Sequence, residues 1–175
     1  MNSLVKDLLF LARYEDAKKT YEFKEFNISN AILGAVLPFE SLAFEKKRKL
    51  EYDIADNLLY TGDEKRIKQL VIIFLDNAVK HSEETILEKI PVVRLTLRQS
   101  GSKIELSVFN TGAGLNSEER KKVFERFYRS DSSRNRETGG SGLGLAIAST
   151  IVQAHRSKIS ITSKVGEWVQ FSVLL

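Results

Sequence analysis

The sequence predicts an α/β chain in two layers, one a sheet and the other helices. Three observations predict it. Apolar residues alternate in stretches 50–54, 92–99, 103–109, 159–163 and 169–174, the period of half-buried strands. They recur every three or four residues in 28–45, 63–81 and 143–154, the period of helices with one apolar face. The two kinds of stretch interleave, so a sheet can cover its apolar face with the helix stripes. With 175 residues and 42% hydrophobic content, one domain with a short appendage accounts for the length.

The elements follow in order. In residues 1–15, Leu4, Leu8 and Leu11 lie on one helical face, with Val5 and Leu9 beside them. A helix this short needs a partner for its stripe. It reads either as a helix packed on its own domain or as the tail of a longer helical hairpin. Residues 17–25 read as a charged linker, with Tyr21, Phe23 and Phe26 starting a strand. The next helix spans 28–45, capped by Asn27 or Ser29, with Pro38 as a kink. Its face is Ile32, Val36, Phe39 and Ala43. The basic run 46–49 reads as a solvated helix end, where the dipole favours cations. Strand 50–54 and a short strand 58–60 lead to a turn at Gly62. Asp63 caps the longest helix, whose stripe is Ile67, Leu70, Val71, Phe74 and Ala78. Asn77 edges that stripe, with Ile73 one turn before it and Lys80 and His81 one turn after. Polar groups on such a flank are core residues with partners or the lip of a pocket. Strands 92–99 and 103–109 then form a hairpin around Ser100 and Gly101. Ser117 is expected to cap a short helix. A glycine-rich turn opens the last helix, faced by Leu143, Ile147, Ile151 and Ala154. A final antiparallel pair folds around Gly166.

No cysteine is present, which removes disulfides, thiolate zinc sites and cysteine nucleophiles. Two histidines, His81 and His155, are too few for a histidine-rich metal site. The net charge of +4 suits a nucleic acid or a small polyanion equally. No apolar run reaches the ~18 residues of a membrane span, and no signal peptide is visible. The chain reads as cytoplasmic in character, which leaves a membrane-anchored parent open.

The functional signal lies in 120–151, RKKVFERFYRSDSSRNRETGGSGLGLAIASTI. A basic-aromatic block, Phe124 to Arg129, precedes a tract without apolar residues at 130–138. Gly139, Gly140, Gly142 and Gly144 then open an apolar helix. Backbone N–H groups at such a start make an anion site. The polar tract reads as a flap over it. The glycines do not directly follow a strand, and no Gly-Lys-Ser/Thr is present, so neither a dinucleotide fingerprint nor a P-loop fits. Four elements stand in order: LDNAVKHS (75–82), NTGAGL (110–115), FERFYR (124–129) and GGSGLGLAI (139–147). Together they resemble the N box, G1 box, F box and G2 box of the histidine-kinase catalytic domain. That domain belongs to the ATP-binding superfamily shared with gyrase, heat-shock chaperones and mismatch-repair ATPases. The resemblance covers nearly the whole chain from Phe23 to Leu175, and FERFYR with GSGLGLAI resembles the histidine-kinase branch. LVKDLLFLAR resembles the end of that family's dimerisation and phosphoacceptor hairpin.

The resemblance implies a two-layer α+β sandwich, with a mixed, mostly antiparallel sheet of about five strands on three main helices, preceded by a short N-terminal helix. It divides the chain into a hairpin remnant (1–16), a linker (17–25) and the catalytic domain (26–175). It implies that ATP sits between helices under the flap. Asn77 stands where an amide oxygen completes a Mg²⁺ shell without quenching its charge. Lys80 would be a point charge on the phosphates, with His81 near the ribose and phosphates. Asn110 stands where the adenine amino group is accepted. Gly112 and Gly114 would let the backbone approach the adenine. Gly140, Gly142, Leu143 and Gly144 would belong to the triphosphate cradle at the helix start. Phe124 and Phe127 would anchor the flap, Phe127 beside the nucleotide. Arg126 and Arg129 would meet the γ-phosphate or the partner hairpin, or else lie on a solvated helix face. The implied reaction is transfer of the ATP γ-phosphoryl group to a histidine, in two-component signal transduction. Neither His81 nor His155 lies in an acceptor-like sequence. The acceptor is therefore expected on a hairpin preceding Met1, and the chain is expected to bind ATP and ADP without phosphorylating itself. The partners implied are that hairpin, a response regulator and, for a parent in the cell membrane, a second copy of itself. No nucleic acid is expected.

Three departures from the pattern stand out. The G1 box usually opens with aspartate; Asn110 can still accept but loses the charge-assisted component, roughly 1–2 kcal/mol of nucleotide binding. Ile73 stands where hydrolysing relatives carry a glutamate base, so no base is available there to activate water. Arg156-Ser157 replaces a usual pair of glycines, and GEWVQF stands where a second glycine and a threonine are expected. Asn110 and Ile73 also support the alternative of a degenerate ATP-sensing or docking module without phosphoryl transfer. Ile73 and FERFYR speak against a third reading, a hydrolysing ATPase.

Overall fold

Strand β1 (Lys24–Asn27) runs directly into helix α1 (Ile28–Val36). The computed structural model describes residues 21–86, 88–129 and 142–175. The expected N-terminal helix and hairpin remnant, residues 17–20 of the linker, the flap tract and Gly139 and Gly140 lie outside the described residues. The Asn27 side chain caps α1 by accepting from the Asn30 N–H. Ser29 instead buries its hydroxyl, which donates to the Ala55 carbonyl at 2.6 Å and accepts from the Leu58 N–H. The helix expected at 28–45 is two helices. Pro38 has no N–H to donate, so it occupies the first position of a second helix, α2 (Pro38–Glu45). Strand β2 (Lys49–Ile54) follows, then β3 (Leu59–Gly62). Gly62 closes β3 and is not a turn. A β-carbon there would strike the Tyr60 ring and reach 3.0 Å from His155.

Helix α3 (Glu64–His81) is the longest helix, and Asp63 caps it by accepting from the Arg66 N–H. The hairpin of β4 (Val92–Ser100) and β5 (Lys103–Thr111) comes next. The short α4 (Ser117–Lys122) is capped by Asn116, not Ser117. Asn116 and Glu119 form a reciprocal capping box. Helix α5 (Gly144–Ala154) leads to the antiparallel pair β6 (Lys158–Lys164) and β7 (Trp168–Leu174).

The main sheet has five strands in the order β2-β4-β5-β7-β6. Only the β2–β4 pairing is parallel. The two-layer sandwich with a mixed, mostly antiparallel sheet is therefore as expected. The surprise is β3, which leaves that sheet and pairs with β1 as a separate ribbon. Register gives the sheet an inner face with rows such as Tyr52, Leu95, Val108, Phe171 and Ile161. These rows meet Ile28, Ile32, Ile67, Leu70, Phe74, Ile147 and Ile151 of the helices in one core. The outer face stays wet. There Glu51 pairs with Lys49 and Arg94, each at 2.7 Å, and these hydrogen bonds hold its carboxyl below the ordinary value. Among the described residues, no helix is long and apolar enough to cross a membrane.

Candidate functional site

Antiparallel packing of α3 on α5 sets two of the site's walls. Ile67, Leu70, Val71, Phe74, Leu75 and Ala78 of α3 are buried, which leaves Asn77, Lys80 and His81 half-buried on the flank. Ile73 faces the other helix, because a β-carbon on Gly144 would touch its methyl at 3.5 Å. The Asn77 amide makes no hydrogen bond with any described residue. Lys80, expected as a point charge on phosphates, has a neighbour of opposite charge. Its ammonium meets Asp76 at 2.6 Å, one turn back along the helix. Both side chains are more than a third exposed in sum of their surfaces, and such i, i+4 pairs contribute only about 0.3–0.5 kcal/mol. The pair positions Lys80 beside Asn77 and is easily given up to a stronger anion.

The floor is the end of β5. Asn110 lies on the inner face of the central strand, between Val93 and Val169 in register, and is 2% exposed. Its amide nitrogen donates to the Thr111 carbonyl at 3.0 Å. Its Oδ1 is buried with no donor among the described residues. Buried acceptors without donors are rare, and each costs about 1–3 kcal/mol. The neighbouring Thr111 has its acceptors engaged. Its hydroxyl accepts from Val92 N–H and its carbonyl from Glu83 N–H.

Gly112 follows with φ +148, where a β-carbon would come within 2.6 Å of the His81 carbonyl. Gly114 likewise abuts the Lys164 carbonyl. Both glycines therefore let chain approach chain, α3 at one and the β6–β7 turn at the other. Gly112 N–H, Leu115 N–H and the Ala113 carbonyl dock the loop on Glu167, Ser163 and Gly166.

Phe124 ties the aromatic block to the core. It meets Phe171 edge-on at 6.2 Å, and Phe171 stacks on Phe74 of α3 at 5.6 Å. Phe127 lies differently. It is 57% exposed and holds a left-handed backbone, φ +63. Its N–H donates to the Gly142 carbonyl at 3.0 Å. A β-carbon on Gly142 (φ +70) would lie 2.9 Å from the Phe127 backbone, so the block and the glycine turn press together main chain to main chain. Arg126 is exposed and Arg129 half-buried on the same block. Leu143 is wholly buried. It precedes α5 without a side-chain cap, and no acidic residue lies in the helix's first turn. The amides there suit an anion. Gly140 lies outside the described residues.

The structure thus gathers Asn77, Lys80 and His81, the Asn110 floor, and the Gly142–Gly144 helix start around the α3–α5 pair. The sequence reading overlooked Arg48 and Ser82. Ser82 is fully buried, and the Arg48 guanidinium binds it. Nothing in a run of four cations marks the one that turns inward.

Comparison with known proteins bears on the family and the fold. A family model described as histidine kinase-, DNA gyrase B-, and HSP90-like ATPase matches residues 62–175. The sensor protein DltS of Streptococcus agalactiae is 36% identical over 159 residues, covering 91% of this chain and 39% of that protein. The sensor histidine kinase YkoH of Bacillus subtilis is 36% identical over 167 residues, covering 95% and 35%. The chain thus spans well under half the length of these relatives. The crystal structure of full-length ShkA in complex with AMPPNP superposes with a TM-score of 0.82 at 27% identity, covering 98% of this chain and 35% of that one.

Proposed function

The chain belongs to the histidine kinase-, DNA gyrase B- and HSP90-like ATPase family, and from that premise we propose that it binds ATP between α3 and α5 and passes the γ-phosphoryl group to a histidine on a helical hairpin. The observation that carries the reading is the orphaned Asn110 Oδ1, a buried acceptor on the inner row of the sheet. The amino group of adenine supplies the missing donor. The AMPPNP bound to ShkA supports a nucleoside triphosphate as the ligand class.

The residues divide the work. Asn110 reads the base. The α5 amides at Gly144 and beyond hold phosphate oxygens, and Lys80 turns from Asp76 to neutralise them. The Asn77 amide, having no hydrogen bond with a described residue, fits an oxygen ligand of Mg²⁺, whose role would be to draw charge from the phosphates. Arg126 and Arg129 would meet the γ-phosphate or the acceptor hairpin. In the transfer, a bond forms between an imidazole nitrogen and the γ-phosphorus. The bond from that phosphorus to the bridging oxygen of ADP breaks, and the displaced imidazole proton goes to solvent. Such chemistry is chiefly positioning and charge neutralisation. Water is a poor competitor, because Ile73 offers no base where it meets Gly144. The acceptor is not His155, whose two ring nitrogens are both engaged in the core. ADP is the product, and a response regulator takes the phosphoryl group onward. The parent is a homodimer through the hairpin, at the cell membrane.

Calorimetric titration with ATP and ADP, with and without Mg²⁺, tests the binding. Transfer from radiolabelled ATP to a separately supplied acceptor hairpin tests the chemistry. Micromolar-to-submillimolar binding and a labelled hairpin are expected. No binding at millimolar nucleotide by the folded chain would overturn the reading.

A further inference from the structure

We propose that Arg48 is a positioning residue of the nucleotide site, fixing the end of α3 that carries Asn77, Lys80 and His81. The proposal rests on the ATP-binding reading above. Lys46, Lys47 and Lys49 are exposed, but Arg48 is half-buried. A helix-ending turn aims it inward: Lys47 is left-handed at φ 54, and Arg48 N–H returns to the Ala43 carbonyl at 2.8 Å. The guanidinium then forks onto one residue of another helix. Its Nε donates to the Ser82 hydroxyl and its Nη2 to the Ser82 carbonyl, both at 3.1 Å, while Nη1 donates to the Lys46 carbonyl. The Ser82 hydroxyl passes its own proton to the Val79 carbonyl at 3.2 Å.

Arg48 thus sits on the C-terminal end of α3, where carbonyls lack intrahelical donors and the dipole favours a cation. Just beyond, Glu83 N–H ties the chain to Thr111, and Gly112 abuts the His81 carbonyl. The exit of α3 is held from two sides, by Arg48 on one and by β5 on the other. Asn110, the base reader, belongs to β5 and is held by the sheet. Asn77 and Lys80 belong to α3, and their height above that floor depends on where the helix stops. The clamp therefore governs the Mg²⁺ and phosphate half of the site and leaves the adenine half alone. A lysine at 48 keeps the charge but cannot fork across two oxygens.

The test compares the native chain with Arg48→Met, Arg48→Lys and Ser82→Ala. Each is titrated with adenosine, and with ADP in the presence and absence of Mg²⁺, at a temperature where melting curves show it folded. Arg48→Met is expected to lose about tenfold in the affinity that Mg²⁺ adds for ADP, with adenosine binding within about twofold of native. Arg48→Lys is expected to recover less than half of the loss on a logarithmic scale. Ser82→Ala, which keeps the carbonyl contact and is the variant to rely on if Arg48→Met does not fold, is expected to lose about threefold. An unchanged Mg²⁺ increment in the folded variants would overturn the proposal, as would equal losses for adenosine and ADP, the sign of a merely structural role. Absence of adenosine and ADP binding by the native chain would instead sink the ATP-binding reading, and the clamp with it.

Discussion

The α3–α5 pair has two ends with opposite polar chemistry. At the linker end, the buried polar groups of Asp63 and His155 are hydrogen-bonded. Asp63 N–H donates to His155 Nε2 at 3.1 Å, so the ring proton sits on Nδ1, which donates to the Ile151 carbonyl at 2.8 Å. The two Asp63 carboxylate oxygens accept from Arg66 and Glu22 N–H groups. Phe23 and Tyr60 rings pack on the imidazole at 5.0 and 6.2 Å. Burial also pushes the Tyr60 hydroxyl above its ordinary pKa. At the other end, among the described residues, Asn110 Oδ1 has no donor, Asn77 has no hydrogen bond, and α5 has no side-chain cap. A satisfied network stiffens the fold, whereas unsatisfied groups cost stability unless a ligand completes them. One end is built to hold the helices together and the other to take something between them.

Substitutions at the two ends should therefore separate stability from binding. The largest effect is expected at the closed end. His155→Ala removes an acceptor and the packed ring together, and should destabilise the chain by about 3 kcal/mol in chemical denaturation. ADP affinity should be unchanged where the variant is folded. A loss of affinity there would mean that the two ends are coupled. Next in size, Asn77→Ala should cost about 2 kcal/mol of Mg²⁺-dependent ATP binding by calorimetry, with the melting temperature essentially unmoved. A marked drop in melting temperature would make Asn77 a structural amide. Asn110→Asp should tighten ATP by roughly 1–2 kcal/mol, because a charged acceptor strengthens the bond to the adenine amino group. The same change should destabilise the ligand-free chain, since it buries a charge at the open end. The smallest effect serves as a control. Gly34 lies exposed in α1 with nothing within 4 Å of an added β-carbon, so Gly34→Ala should stabilise by about 0.5–1 kcal/mol and leave ATP affinity alone.

Much of the site was legible in the chain. Asn77, Lys80 and His81 follow from a helical stripe with a polar flank, and Gly142 and Gly144 from a glycine run entering an apolar helix. These are near neighbours in sequence, and a helix's geometry fixes which of them share a face. What each touches was less legible. Nothing at Lys80 pointed to Asp76, one turn back, as the residue its ammonium meets. Phe127 looked like Phe124, but only Phe124 finds a ring to pack on. Gly112 and Gly114 were assigned to a ligand, and the nearest atoms are carbonyls of α3 and β6.

The sequence by itself determined the order and kind of the elements, since the spacing of apolar residues is a local property that dictates which face must be buried. It also determined the chemistry on offer at the site, which depends only on which side chains stand on one turn or one loop. The tertiary structure alone decided the pairings. It set β2 parallel beside β4 and sent β3 out of the sheet to β1. It brought Asp63 to His155 across 92 residues of chain and turned Arg48 from a surface cation into the cap of α3. Such contacts join segments far apart in sequence, and a short stretch carries no record of which distant donor will fold within reach of its acceptor.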